Sequence, residues 1–216
     1  MKIYRYGEVE STQKIAKQLI KQGLERGSII VADSQIKGRG RLNRTWLSSP
    51  GGLYCSIIIE QDNFLPVIVA VAVVTTLYQI GIDARIKWPN DILVLDKKIA
   101  GILIETSGKD AIVGIGININ KVPLEMATSL AQEGIQMSQN SLLTHLYESL
   151  MDTLGYPKKK IREIYRNFSH TLGKQVKIQL NEEEIIGIAV DIDADGGLLI
   201  QRDSPVSYTH LTLPTN

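Results

Sequence analysis

The stretch FLPVIVAVAVVTTLYQI, residues 64–80, carries no charged side chain. No other feature restricts the fold as much. A helix that is apolar all round must leave water on every side, so it either crosses a bilayer or lies inside a core. A bilayer span needs about 20 predominantly apolar residues. This run is at the short limit and contains Pro66, Thr75, Thr76 and Gln79. It reads as a buried helix with Pro66 in its first turn, where a missing N–H is tolerated. Other elements must then cover it. A chain of 216 residues, 44% of them hydrophobic, has the material for one good-sized domain with a small appendage.

Those elements can be read from spacing. Residues 10–23 look like a helix capped by Ser11 or Thr12, with Ile15, Ala16, Leu19 and Ile20 on one face and Gly23 as its stop. GSIIVAD (27–33) and LYCSIIIE (53–60) read as strands. Residues 84–105 hold two strands around a turn at Asp96 and Lys97, the first interrupted by WPND because Pro89 cannot donate to a ladder. AIVGIGININ (111–120) is a further strand, whose Gly114 and Gly116 suggest that something approaches the backbone closely. Residues 141–154 and 158–168 carry apolar side chains at helical spacing. From Leu172 the chain reads as three short strands with turns at 181–183 and 195–197. The expected organisation is α+β over 1–172, a small β domain over 173–201, and an atypical tail over 202–216.

Charge and cysteine content narrow the function. The formal net charge is +1, so general electrostatic attachment to nucleic acid or membrane is not expected. One cysteine excludes an intramolecular disulfide, and the scattered His145, His170 and His210 lack ligand spacing, so no metal site is expected. The polar start MKIYRYGEVE shows no signal peptide, and the expected compartment is the reducing cytoplasm.

The informative stretch is KGRGRLNRTW, residues 37–46. Lys37, Arg39, Arg41 and Arg44 alternate with Gly38 and Gly40 and lead to Trp46, and no acid occurs from Ser34 to Ile59. A solvated loop, a nucleic-acid arm and a loop closing over phosphates all remain open. Glycines admit backbone N–H groups to oxyanions, and arginines fork onto phosphate or carboxylate oxygens. KWPND (87–91) adds Lys87 at a strand end, a point charge for a carboxylate or phosphate. GIGININ (114–120) adds Asn118, which could meet a base edge or a phosphate, or simply serve a turn.

Together GRGRLNRTW, KWPND, AGILIE and GIGININ, with ESTQ (10–13) and ADSQ (32–35), resemble the biotin–protein ligases over roughly residues 4–200. The resemblance implies a class II synthetase-like α+β domain with a mixed sheet, followed by a small SH3-like β-barrel. It implies that biotin and Mg·ATP give biotinyl-5′-AMP, which then acylates one lysine of a biotin carboxyl carrier protein domain. No Ser-His or Cys-His nucleophile is needed, since the biotin carboxylate itself attacks the α-phosphate. By the same resemblance Ser11, Thr12 and Gln35 serve the biotin head, and Gly38, Arg39 and Arg41 belong to the loop that orders over biotin and the adenylate. Lys87 matches the lysine at the carboxylate–phosphate junction. Gly114 and Ile115 flank biotin. Arg44, Trp46 and Asn118 lie on the nucleotide side, together with Arg41 and Lys87.

The chain opens directly on the catalytic motifs, without the helix-turn-helix domain of many bacterial relatives, so no specific DNA binding is expected. A homodimer remains compatible with everything above. RDSPVSYTHLTLPTN (202–216) does not resemble the family's barrel strands, and an incomplete barrel is expected. Two alternatives stay open: a lipoate ligase, which shares the fold and adenylate chemistry but lacks this GRGR loop, and a non-enzymatic phosphate or nucleic-acid binding module.

Overall fold

In the computed structural model, which describes residues 2–180, 183–202 and 208–211, the uncharged run forms helix α2, Leu65–Gln79, with proline in its first turn. It lies in the interior, with Val69, Ala70, Val71, Ala72, Val73 and Val74 all fully buried. Each such Val contributes about 1.5–3 kcal/mol when withdrawn from water. Two helices cover its far side: α3, Gln139–Leu154, and α4, Lys158–Phe168. Among the described residues no helix is long and apolar enough to cross a membrane.

The layer beneath α2 is a seven-stranded sheet. Its strands are β1 (Lys2–Val9), β2 (Ser28–Gln35), β3 (Leu53–Glu60), β4 (Arg85–Lys87), β5 (Asp91–Val94), β6 (Lys97–Ser107) and β7 (Asp110–Ile117), in the order β1-β2-β3-β7-β6-β5-β4. One face presents Ile29, Val31, Leu53, Ile57, Ile102 and Val113 to the core shared with α2. The other face meets α1, Thr12–Lys21, through Ala16 packed with Ile30, Ile58 and Ile112. Strands covered on both faces read as continuous apolar runs, which is why β2 and β3 were legible.

Two features differ from the expectation. β1 has the polar sequence KIYRYGEV and is mostly exposed, yet it pairs parallel with β2, Tyr4 opposite Ile30. Its hold is the backbone ladder, and helix α1 supplies the crossover that a parallel pair needs. WPND, expected as an interruption within one strand, is instead the reversal of a hairpin. β4 and β5 pair antiparallel, with Lys87 directly opposite Asp91, and the Trp88–Pro89 bond between them is cis.

After α4 the chain enters an antiparallel sheet of β8 (Gln175–Leu180), β9 (Glu183–Ile192), β10 (Leu198–Gln201) and β11 (Tyr208–Leu211), in the order β11-β10-β9-β8. Among the described residues β8 and β11 do not pair, so the expected incomplete barrel is an open sheet. β11 lies in the stretch expected to be atypical, and its backbone pairs with β10 from Leu198↔Leu211 to Gln201↔Tyr208. Part of the turn expected at 181–183 falls outside the described residues. The sheet is tied to the larger layer by Arg162 and Arg166 on Asp191, and by the Trp88 indole N–H donating to the Gly196 carbonyl at 3.2 Å.

Candidate active site

A cavity of about 500 Å³ opens where the ends of β3, β6 and β7 meet the start of α1, the basic loop and the WPND turn. Its wall includes Ser11, Thr12, Gln35, Arg39, Arg41, Arg44, Trp46, Lys87, Gly114 and Ile115. Most of the residues singled out from the sequence are thus brought together, although 104 positions separate the first from the last by residue number.

The start of α1 is locked to the loop by side chains rather than by a helix cap. Ser11 occupies the cap position with extended backbone and makes no capping bond. Gln35 Oε1 accepts from the Thr12 backbone N–H at 2.9 Å and the Thr12 hydroxyl at 3.2 Å, while its Nε2 donates to Ser48 Oγ at 2.8 Å. Ser56 Oγ donates to Thr12 Oγ1 at 2.9 Å. The result is a rigid polar end wall. Ser11 Oγ and Gln13 Oε1, also on the wall, are buried without a partner. Each unpaired buried group costs about 1–3 kcal/mol, which a polar ligand could remove.

The strand glycines have an intramolecular explanation. A Cβ on Gly114 would stand 2.4 Å from Gln13 Nε2, and one on Gly116 would stand 2.6 Å from Trp46 Nε1. Gly101, the cross-strand partner of Gly116, would bring a Cβ to 2.8 Å from the same indole. The Trp46 ring therefore lies on a platform of two paired glycines. Lys98 stands over that ring, 5.0 Å from its centroid, and its Nζ pairs with Asp91 at 2.6 Å.

The cations of the loop have different surroundings. Lys37 is exposed and faces Glu10 at 3.6 Å. Arg39 reaches the buried Glu105 at 3.4 Å, which Lys17 also contacts at 3.1 Å. Arg41 is half-buried on the wall, and burial lowers its guanidinium pKa, with Asp91 opposing. A cation that has lost water without gaining a close partner is prepared for an anion. Lys87 is exposed at the rim. The Cys55 thiol, also on the wall, is pushed up to about 12 by burial, so it stays protonated and is no nucleophile.

Two expected residues make contacts within the protein itself. Gly38 is not on the wall. Its carbonyl accepts from the Trp46 N–H at 2.9 Å, and a Cβ there would strike the Trp46 carbonyl oxygen at 2.3 Å, so it is the pivot of the loop's return. Asn118 also points elsewhere. Its buried Nδ2 donates to the carbonyls of Thr128 at 2.9 Å and Lys98 at 3.3 Å, pinning the segment after β7 against β6.

Lys98, Asp91, Gln13 and Glu105 were not foreseen. Lys98 and Asp91 stood in view as one cation and one anion on adjacent strands, but their meeting depends on the β5–β6 register, which shifts between Ile92 and Leu93. Glu105 could have been suspected as an acid inside the apolar run IAGILIE. Among the described residues no three His, Cys, Asp or Glu side chains cluster as metal ligands.

Residues 6–121 match the biotin/lipoate A/B protein ligase family, and residues 171–210 match the biotin protein ligase C terminal domain. The bifunctional ligase/repressor BirA of Bacillus subtilis is 31% identical over 92% of this chain and 69% of its own length. The biotin--[acetyl-CoA-carboxylase] ligase of Mycobacterium tuberculosis is 28% identical over 81% of this chain and 73% of its own. The biotin protein ligase of Aquifex aeolicus, solved in complex with biotin and ATP, is similar with a TM-score of 0.85 and 32% identity, covering 98% of this chain and 96% of that one.

Proposed function

The chain belongs to the biotin/lipoate A/B protein ligase family, and from that premise we propose that it activates biotin with ATP and transfers it to a lysine of a biotin carboxyl carrier protein domain. The match of 171–210 to a biotin protein ligase domain favours biotin over lipoate. The observation that carries the reading is the cavity itself, a neutral hydrogen-bonding end wall facing a set of cations with no competing nucleophile.

The chemistry suits such a wall. The biotin carboxylate attacks the α-phosphorus of ATP, a C–O–P bond forms, and pyrophosphate leaves with the P–O electron pair. Two anions must be brought together and the added charge on phosphorus stabilised. Mg²⁺ enters with the nucleotide as part of the substrate and neutralises the β- and γ-phosphates. Ser11, Thr12, Gln35, Gly114 and Ile115 hold biotin in this reading. Arg39 sits beside them, and Arg41, Arg44 and Trp46 receive the nucleotide.

We assign the junction cation to Lys98 rather than Lys87. Lys98 is half-buried, backed by Asp91 and seated over Trp46, whereas Lys87 is exposed at the rim. Arg41 closes over the mixed anhydride and delays its escape into water. In this reading the catalytic unit spans 1–172 and the β domain follows from 173. The enzyme works in the cytoplasm, and a homodimer is compatible.

The test is to incubate the chain with labelled biotin, Mg·ATP and a carrier domain. Biotin-dependent pyrophosphate release and label on one carrier lysine are expected. Absence of both would overturn the reading.

A further inference from the structure

Arg39 lines the cavity, yet its guanidinium pairs with an acid that does not. That acid is Glu105 on β6. Side chains alternate along a strand, so Gly101, Leu103 and Glu105 share one face. Gly101 and Leu103 belong to the cavity wall, and Glu105 follows beyond it. Its side chain is only 7% exposed. A carboxylate withdrawn from water is costly unless it is paired. Glu105 Oε1 meets Lys17 at 3.1 Å and Arg39 at 3.4 Å, while the buried Oε2 has no hydrogen-bond partner among the described residues. A carboxylate so thinly satisfied resists losing either cation. Lys17 comes from α1, which is fixed by the packing of Ala16. Arg39 comes from the loop, so the loop is what Glu105 holds.

Residues 38–46 form a small hairpin. Arg39 bridges Thr45, the Gly40 N–H donates to the Arg44 carbonyl at 2.7 Å, and the Trp46 N–H donates to the Gly38 carbonyl at 2.9 Å. Its base is paired through Gln35 and Ser48. Beyond the base, two side chains attach it to β6: Trp46 rests against Gly101, and Arg39 reaches Glu105. Four residues separate these attachment points, about 13 Å along a strand. A hairpin attached at one point can swing, whereas two points so far apart define one placement. Arg41, which lies between the two anchors in sequence, is thereby held on the wall.

We propose that Arg39 and Glu105 are positioning residues that peg the hairpin over the cavity before any ligand arrives, a role that rests on the ligase reading above. Arg39 then serves biotin through the loop it fixes rather than through its own charge. The apparent affinity of a ligand that needs the closed hairpin scales with the fraction already closed. Loss of the peg weakens biotin binding but spares the chemistry of the filled site, because Lys98, Arg41 and Trp46 are unchanged.

The test compares wild type with Glu105→Gln, Arg39→Ala and Lys17→Ala, each first checked for a cooperative thermal transition. Without ligand, amide hydrogen exchange in 38–46 should be about tenfold faster in Glu105→Gln and in Arg39→Ala, the scale of one charge-assisted hydrogen bond. Lys17→Ala removes the shorter contact to the same carboxylate but nothing from the loop, and exchange in 38–46 should not rise. The Kd for biotin should increase about tenfold in Glu105→Gln and in Arg39→Ala, and the double variant should bind no worse than the weaker single one. Pyrophosphate release at saturating biotin should stay within about threefold of wild type. Arg39→Lys should recover part of the affinity.

Wild-type exchange in Glu105→Gln or Arg39→Ala would overturn the peg. Equally fast exchange in Lys17→Ala would do so too, by placing the effect in α1. Additive losses of biotin affinity would make Arg39 a direct ligand contact and overturn its positioning role. Should Glu105→Gln fail to fold, Arg39→Ala carries the exchange test, since that side chain is 47% exposed. If wild type binds no biotin, the ligase reading falls, while exchange without ligand still decides the peg.

Discussion

Helix α2 and the loop at 37–46 are the extremes of this molecule. The helix has no charge and is buried over most of its length, while the loop has Lys37, Arg39, Arg41 and Arg44 within a few positions of one another. In the helix, neighbouring residues do the same thing. Val69, Val71 and Val73 are each withdrawn from water, and apolar burial is non-directional. In the loop, neighbouring cations do different things. Lys37 faces an exposed acid, Arg39 a buried one, and Arg41 the cavity. The value of an apolar residue depends on whether it is covered. The value of a charge depends on what stands opposite it.

That contrast can be broken at the helix, where the largest effect is expected. Val71→Asp would place a carboxylate at a fully buried position with no partner. Loss of at least about 4 kcal/mol is expected, enough to unfold many domains. A cooperative thermal transition near the wild-type temperature would contradict the account of α2.

Next in size is a comparison of two lysines that look equivalent in the sequence. Lys98→Ala should reduce biotin-dependent pyrophosphate release about 100-fold or more, the scale for one preorganised charge donor. Lys87→Ala, at the rim, should cost less than about tenfold. Reversal of that order would restore Lys87 to the junction.

A smaller effect concerns a charge that ties helix α4 to the small sheet. The Asp191 carboxyl is held below its usual pKa, chiefly by the Arg166 hydrogen bonds. The folded value lies below the unfolded one. The stabilisation is therefore complete above the ordinary carboxylate pKa and fades as pH falls through the folded value. Asp191→Asn should lower the melting temperature at pH 7, and the gap to wild type should close as pH falls below the ordinary carboxylate range. A gap independent of pH would mean that the carboxylate charge contributes nothing there.

The smallest effect belongs to Lys37. It is 73% exposed, with Glu10 at 3.6 Å. Exposed pairs of this kind contribute about 0–1 kcal/mol. Lys37→Ala should leave KM for biotin and for ATP within about twofold, which sharpens the contrast with Arg39 and Arg41 in the same loop.

Legibility followed the same line. The two-sided strands β2, β3 and β7 and the helices α2 and α4 were readable because their period and coverage are local properties of the chain. β1 was not, since its polar residues carry no periodic signal and it is held by its backbone to β2. Most of the cavity wall was legible as motifs, but not the assignment within it. Gly38 and Asn118 make backbone-holding contacts that no motif announces, and the meeting of Lys98 with Asp91 depends on strand register.

By itself, the sequence determined that α2 must be buried, that sheet and helices must cover it, and that cations and glycines are concentrated between β2 and β3. These follow from hydrophobicity, period and composition, which do not depend on long-range register. Only the tertiary structure decided which cation meets which anion. Lys98 reaches Asp91 because β5 and β6 pair in a shifted register, and Trp46 lies flat because Gly101 and Gly116 fall opposite one another. A displacement of one residue would reverse the side chains and send those groups to the other face of the sheet. Attraction between solvated charges is screened beyond about 10 Å at ordinary ionic strength, so such pairings exist only where the completed sheet brings the partners together.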